Sequence, residues 1–253
     1  MVNQYRFLTG SFFFSLTLLS ATLATEKNEF ITLYYNERPP YLQTLENGEV
    51  AGLTATPAAQ ALQKAGIAFK WTKMPSNRQI QILERNVGQD CMVGWFKNPQ
   101  RELIGNFSLP LYRDKPTIGL ALFSNPNIDS GSTLEQVLQN RDLRLLVKDG
   151  YSYGEYIDGL IHRLEPNRLT TTTENINMLR MLSVDRADYF LIAEEEAQSL
   201  ILESRLDPLE FKYIHFSDSP DGGYRYLWCS KQVTKASLDR INQAITEVVG
   251  SAP

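Results

Sequence analysis

Arg101 is the side chain best placed for chemistry in this chain of 253 residues. It lies within Cys91 to Tyr112, CMVGWFKNPQRELIGNFSLPLY, which reads as a strand, a break at Asn98-Pro99, a short helical turn and a second extended piece. A guanidinium presents a planar fork that meets a carboxylate through two parallel hydrogen bonds. In open α/β sheets the ligand sits beyond the carboxyl ends of the strands. A strand that ends in Trp95-Phe96 and is followed at once by a positioned Arg is therefore expected to hold an anionic group. The plainer alternative is a surface Arg paired with Glu102 or Asp114.

A second stretch with chemical potential is Gly150-Tyr151-Ser152-Tyr153-Gly154, between a predicted strand and a predicted helix. Free backbone N–H groups and the helix dipole favour an anion there. Ser152 could add a hydroxyl donor or simply cap the helix. The same residues spell G-x-S-x-G, the pattern of a nucleophile elbow, and Asp188 and His215 follow in the order a triad needs. Two features weigh against a serine hydrolase. Nothing upstream reads as an HGGG-type oxyanion loop, and His215 falls inside a predicted strand, Tyr213-Ile214-His215-Phe216. No enzymatic activity is expected.

Around these two stretches, Tyr41, Trp95 and Tyr151 are the aromatic residues expected to face a ligand. Arg38 and Arg78 are candidates for added positive charge. Glu194 opens the run Glu194-Glu195-Glu196, which suits the first turn of a helix, and is a candidate partner for a ligand ammonium. No His, Cys and Asp cluster has metal-ligand spacing, and there is no P-loop or GxGxxG pattern, so neither a metal nor a cofactor is expected.

The elements that must position these groups follow from pattern. A strand at Ile31–Tyr35 runs into Glu37-Arg38-Pro39-Pro40-Tyr41, where two prolines forbid helix. Helix, strand, helix and the strand at 91–95 follow. After Tyr112 the pattern restarts with strands near 117–123, 143–147, 169–173, 188–192 and 211–216 and helices between them. The strand Tyr224 to Ser230 and a last helix close the chain. Alternating strands and helices predict an α/β fold with mainly parallel sheets flanked by helices. The two halves echo each other, and the late strand and helix need a sheet to join. Two lobes are expected, 25–112 plus 224–253 and 113–223, with two hinge crossings that let the lobes close on a ligand.

Composition is that of an ordinary globular chain, 43% hydrophobic and 21% charged, with a net charge of −4. Nothing in that balance points to nucleic acid, and no basic run marks a membrane surface. Residues 1–24 differ. Arg6, the apolar run through Phe12-Phe13-Phe14 and the small residues Thr22 and Ala24 read as a cleaved secretory signal, with a membrane anchor as the alternative. Export would place Cys91 and Cys229 in an oxidising compartment. They are either bridged or two buried thiols in strands.

Taken in order, these pieces resemble the periplasmic solute-binding protein family 3, the type II binding fold associated with polar amino-acid ABC transporters. The matching residues are Glu37-Arg38-Pro39-Pro40-Tyr41, Gly48, Gly52-Leu53, Gly88-x-Asp90 and Arg101-Glu102 before Phe107-Ser108-x-Pro110. In the second half they are Gly150-Tyr151-Ser152, Arg186-x-Asp188 and Tyr226-Leu227-Trp228-Cys229-Ser230-Lys231. The resemblance covers nearly all of residues 30–249. It implies a periplasmic, monomeric protein that hands a small anionic or zwitterionic, amino-acid-like ligand to a membrane permease. A ligand-sensing module for a signalling partner is the alternative. It also implies a carboxylate-binding role for Arg101. Two positions depart from the family pattern. Ala193, followed by Glu194, stands where an ammonium-binding Asp is usual, and Asn98 stands where a hydroxyl residue often precedes the Arg.

Overall fold

The computed structural model describes residues 1–2 and 29–250. Beyond Met1 and Val2, the leader read over residues 1–24 lies outside the described residues.

The chain forms two sheets. In the first half the elements are β1 (Phe30–Tyr35), a hairpin of β2 (Gln43–Thr44) and β3 (Val50–Ala51), α1 (Ala55–Lys64), β4 (Ala68–Lys73), α2 (Ser76–Arg85) and β5 (Asp90–Phe96). Then come α3 (Pro99–Ile104), β6 (Gly105–Phe107) and β7 (Tyr112–Arg113). The second half holds β8 (Thr117–Leu122), α4 (Leu134–Gln139), β9 (Leu145–Lys148), α5 (Glu155–Leu164), β10 (Arg168–Thr171) and α6 (Asn175–Ser183). It continues with β11 (Tyr189–Ala193), α7 (Glu194–Ser204) and, after a 3₁₀ turn, β12 (Phe211–Ile214). β13 (Tyr224–Ser230) and α8 (Lys235–Val249) finish the chain.

The first sheet has the order β4-β1-β5-β13-β6, with β7 also paired to β13, and the second β10-β9-β11-β8-β12. Each has the same plan. β4, β1 and β5 run parallel, as do β10, β9 and β11, and an antiparallel strand, β13 or β8, lies against the third. The final strand, β13, pairs between β5 and β6 of the first sheet. Two connections therefore join the sheets, between β7 and β8 and between β12 and β13.

The local reasons are visible in sequence. β5 is buried along almost its whole length, which needs apolar side chains on both faces, and Cys91, Met92, Val93 and Trp95 provide them. Asn86 stops α2 in the left-handed region, Thr133 and Gln136 form a reciprocal capping box on α4, and Thr234 caps α8. Separate cores result. One packs Ile31, Leu33, Leu62 and Leu227 under α1 and α8, and two others sandwich the second sheet around Leu145 and around Phe190. Cys91 and Cys229 face each other across β5 and β13 and are joined as a disulfide, so the bridged alternative holds. Two expectations shift. The helix expected from Ser152 begins at Glu155, behind Gly154 with φ +94°. β12 stops at Ile214, so His215 lies just past the strand and is exposed.

Candidate functional site

The carboxyl ends of β1 and β5 from the first sheet face the β9–α5 turn of the second. Asn98, the residue that departs from the family pattern, caps α3: its side chain accepts from the Arg101 N–H at 2.9 Å. Pro99 fills the first helical position, where no N–H is needed. The cap fixes Arg101 on the first turn and aims its side chain back over the end of β5. There the guanidinium lies over the Trp95 ring, 4.6 Å from its centroid, a cation–π contact. Trp95 is itself held by a hydrogen bond from its indole N–H to Gln79, at 3.0 Å.

Arg101 is buried and turned into the gap between the two sheets. It donates to the Phe96 carbonyl at 2.6 Å and, across the gap, to the Gly150 carbonyl at 3.0 Å. Burial lowers its pKa to about 10, against the opposing pull of Asp158. Gly150 has φ +73°, and a Cβ there would meet the Asn77 amide oxygen at 2.9 Å. The close approach of the two halves thus requires glycine at this turn.

Two small neighbouring cavities of about 30 Å³ each occupy the gap, with Arg38, Phe96, Tyr151, Ser152 and Arg225 common to both. Arg101, Tyr41 and Trp95 line the first and Lys148, Asp114 and Ala193 the second. Six of the expected residues thus converge: Arg101, Ser152, Tyr151, Tyr41, Trp95 and Arg38. Arg78 does not line either cavity; it is exposed on α2, and its neighbour Ser76 reaches the gap instead. Glu194 lines neither cavity as well, and it is the next two acids that make the contacts.

Glu196 grips Arg38 in two parallel bonds of 2.7 and 2.8 Å, and Asn175 donates to it at 2.6 Å. Burial opposes the charge of Arg38, but Glu196 outweighs it and holds the guanidinium well above its usual pKa. Glu195 accepts from the Tyr41 hydroxyl at 3.0 Å and from the Lys115 N–H at 3.1 Å. Ala193 forms part of the second cavity wall.

Arg225 was not singled out by sequence reasoning. It projects from β13, is almost fully buried, and forms a forked pair with Asp114 in which both contacts are 2.6 Å. Its guanidinium also donates to the Gly94 carbonyl at 3.0 Å and covers the Tyr41 ring at 3.9 Å. The available signal was a charged residue inside the aromatic strand Tyr224 to Ser230, where a buried charge demands a partner.

Ser152 donates to Asp158, which also accepts from the Tyr153 N–H at 2.8 Å. Asp188 is bound by Arg144 at 2.8 Å, and His215 uses its backbone N–H on Ser130. The three residues of the hydrolase alternative therefore have separate partners and form no triad. Among the described residues no group of His, Cys, Asp and Glu could hold a metal ion, and no helix is long and apolar enough to cross a membrane.

No family model matches the chain, and no curated protein matches it. Solved structures do. Holo ArgBP from T. maritima superposes with a TM-score of 0.69 at 15% identity, covering 88% of this chain and 92% of its own. An ancestral arginine-binding protein bound to arginine gives 0.68 at 16%, covering 87% and 92%. The substrate-binding protein of an amino acid ABC transporter gives 0.66 at 17%, covering 87% and 92%. At these identities the likeness speaks for architecture: the chain has the two-lobed type II fold of periplasmic amino-acid-binding proteins.

Proposed function

We propose that this chain is an exported solute-binding protein. It captures a small anionic or zwitterionic ligand between its lobes and delivers it to the permease of an ABC transporter. In this reading the signal peptide spans 1–24 and is removed on export to the periplasm. One lobe comprises 25–112 and 224–253, the other 113–223, and the protein works as a monomer without chemistry. Binding shifts the population from open to closed forms.

One observation carries the reading. Arg101 of one lobe is buried at the mouth of the other lobe's β9–α5 turn and, among the described residues, makes no ion pair. An unpaired buried guanidinium costs free energy unless an anion completes it. A ligand carboxylate does so, with Tyr151 and Ser152 of the turn before α5 lining the same cavity from the second lobe. The structural neighbours support the assignment: they include an arginine-binding protein bound to arginine or to glutamine and the substrate-binding protein of an amino acid ABC transporter.

The test is a thermal-shift screen of the mature protein against amino acids, opines, small peptides and aromatic acids, with scattering of any complex found. A ligand should raise Tm by several degrees, by mass action on the folded state, and make the molecule more compact. A ligand that stabilises without compaction, or binds equally well when Arg101 is replaced, would speak against capture in the cleft.

A further inference from the structure

The polar groups around the cleft decide what a ligand can carry besides its acid. The acids there already serve cations of the protein. Asp114, the acid lining the second cavity, gives an oxygen to each of two Arg225 nitrogens. Glu196 does the same for Arg38, and Glu174 holds the Lys148 ammonium at 2.7 Å. Asp158 is occupied by Ser152 and the Tyr153 N–H, and it lines neither cleft cavity.

Backbone acceptors are spent in the same way. The Gly94 carbonyl accepts from Arg225, and the Phe96 and Gly150 carbonyls accept from Arg101. Aromatic faces are covered too. Arg101 lies over Trp95, Arg225 over Phe96 at 4.7 Å, and Arg38 over Tyr151 at 4.8 Å. Each ring fixes the plane of a guanidinium.

The carboxylates around the cleft are therefore all engaged, and the unpartnered buried acceptor in its lining is the neutral Asn175 Oδ1. The cleft's one cation without an acid partner among the described residues is Arg101. An ammonium group needs three acceptors and a nearby negative charge. Beside Asp114 or Glu196 it would stand next to a guanidinium that already neutralises that acid, and like charges repel strongly where water is excluded.

We infer that the cleft takes an organic carboxylate without an amino group and discriminates against the α-amino acid of the same skeleton. This deepens the solute-binding reading and rests on it. The carboxylate completes Arg101, and no unengaged carboxylate around the cleft is left for an amino group. In this respect the site departs from the ancestral arginine-binding protein, which was solved with arginine and with glutamine bound.

Calorimetric titration with matched pairs tests this: 3-phenylpropanoate against phenylalanine, 4-methylpentanoate against leucine and glutarate against glutamate, with arginine and glutamine alongside. The expected result is that at least one amine-free acid binds, at least about tenfold tighter than its amino partner, and that Arg101→Ala removes that binding. The preference should persist in Arg78→Ala, since Arg78 is exposed on α2 and lines neither cavity. Any amino acid binding as tightly as its amine-free partner, or arginine or glutamine binding best, overturns the inference but leaves solute capture standing. Silence across all pairs overturns the inference as well. If the broader screen then finds an Arg101-dependent ligand that is not a carboxylate, solute capture survives; if it finds none, both fall.

Discussion

The Arg225–Asp114 pair shows how the site is built at the level of single side chains. Both partners are about 3% exposed, so neither charge is compensated by water. Removing one leaves the other buried and unpaired, which costs roughly 3–5 kcal/mol. Arg225→Ala is predicted to lower stability by about that amount in chemical denaturation. Loss of less than about 1 kcal/mol would mean that water reaches Asp114. Arg101 makes a different prediction, in pH. Burial depresses its pKa to about 10, and an anion binds the protonated guanidinium. Ligand affinity should be flat through neutral pH and fall as pH rises toward about 10, a trend that calorimetry across alkaline buffers would read. The contrast with Arg225 explains what could be read from sequence. Arg101 follows a strand end and a helix cap, both local signals. The role of Arg225 depends on β13 returning 111 residues after Asp114 to meet it, and no local pattern encodes that meeting. Arg78 had the right residue type, but the turn of α2 points it to solvent.

Elements carry the connection between halves. The disulfide ties β13 to β5 across a sequence separation of 138 residues. By loop-closure entropy it should contribute about 5 kcal/mol. Cys91→Ala with Cys229→Ala is predicted to lower the denaturation midpoint markedly while leaving the circular dichroism of the native state unchanged. An unchanged midpoint would place the stabilisation elsewhere. The second crossing packs tightly on the first. A Cβ at Gly222 would come within 1.7 Å of the Asp114 carbonyl oxygen, so no side chain fits there without the crossing moving. The strand and helix alternation was legible because each segment obeys its own period. Two parts were not. The hairpin β2–β3 is too short to show a period, and the start of α5 is set by Gly154 and by the Asp158 contacts rather than by Ser152.

At the level of the whole molecule, the two lobes meet through a small set of polar contacts. The strongest is the forked Arg38–Glu196 pair, with Glu196 about 1% exposed. Asn77 with Asp149, and Tyr41 with Glu195, add to it. Charge-assisted bonds of this kind contribute a few kcal/mol at most, enough to bias a two-state equilibrium between open and closed forms. Glu196→Gln should shift the population toward the open form. Small-angle scattering would then give a larger radius of gyration without ligand, and an unchanged radius would show that other contacts hold the lobes. The two-lobed plan was visible in the echo between halves, whereas the inter-lobe pairs were not, because they join residues far apart in sequence across a gap.

The most direct measurement is the dissociation constant of the tightest ligand found, by calorimetry, for the wild-type protein and for Arg101→Ala. Loss of a charge-assisted fork at a buried site should weaken binding about 100-fold or more, while thermal unfolding of the free variant remains cooperative. Equal affinities in the two proteins would contradict the claim that this guanidinium receives the ligand.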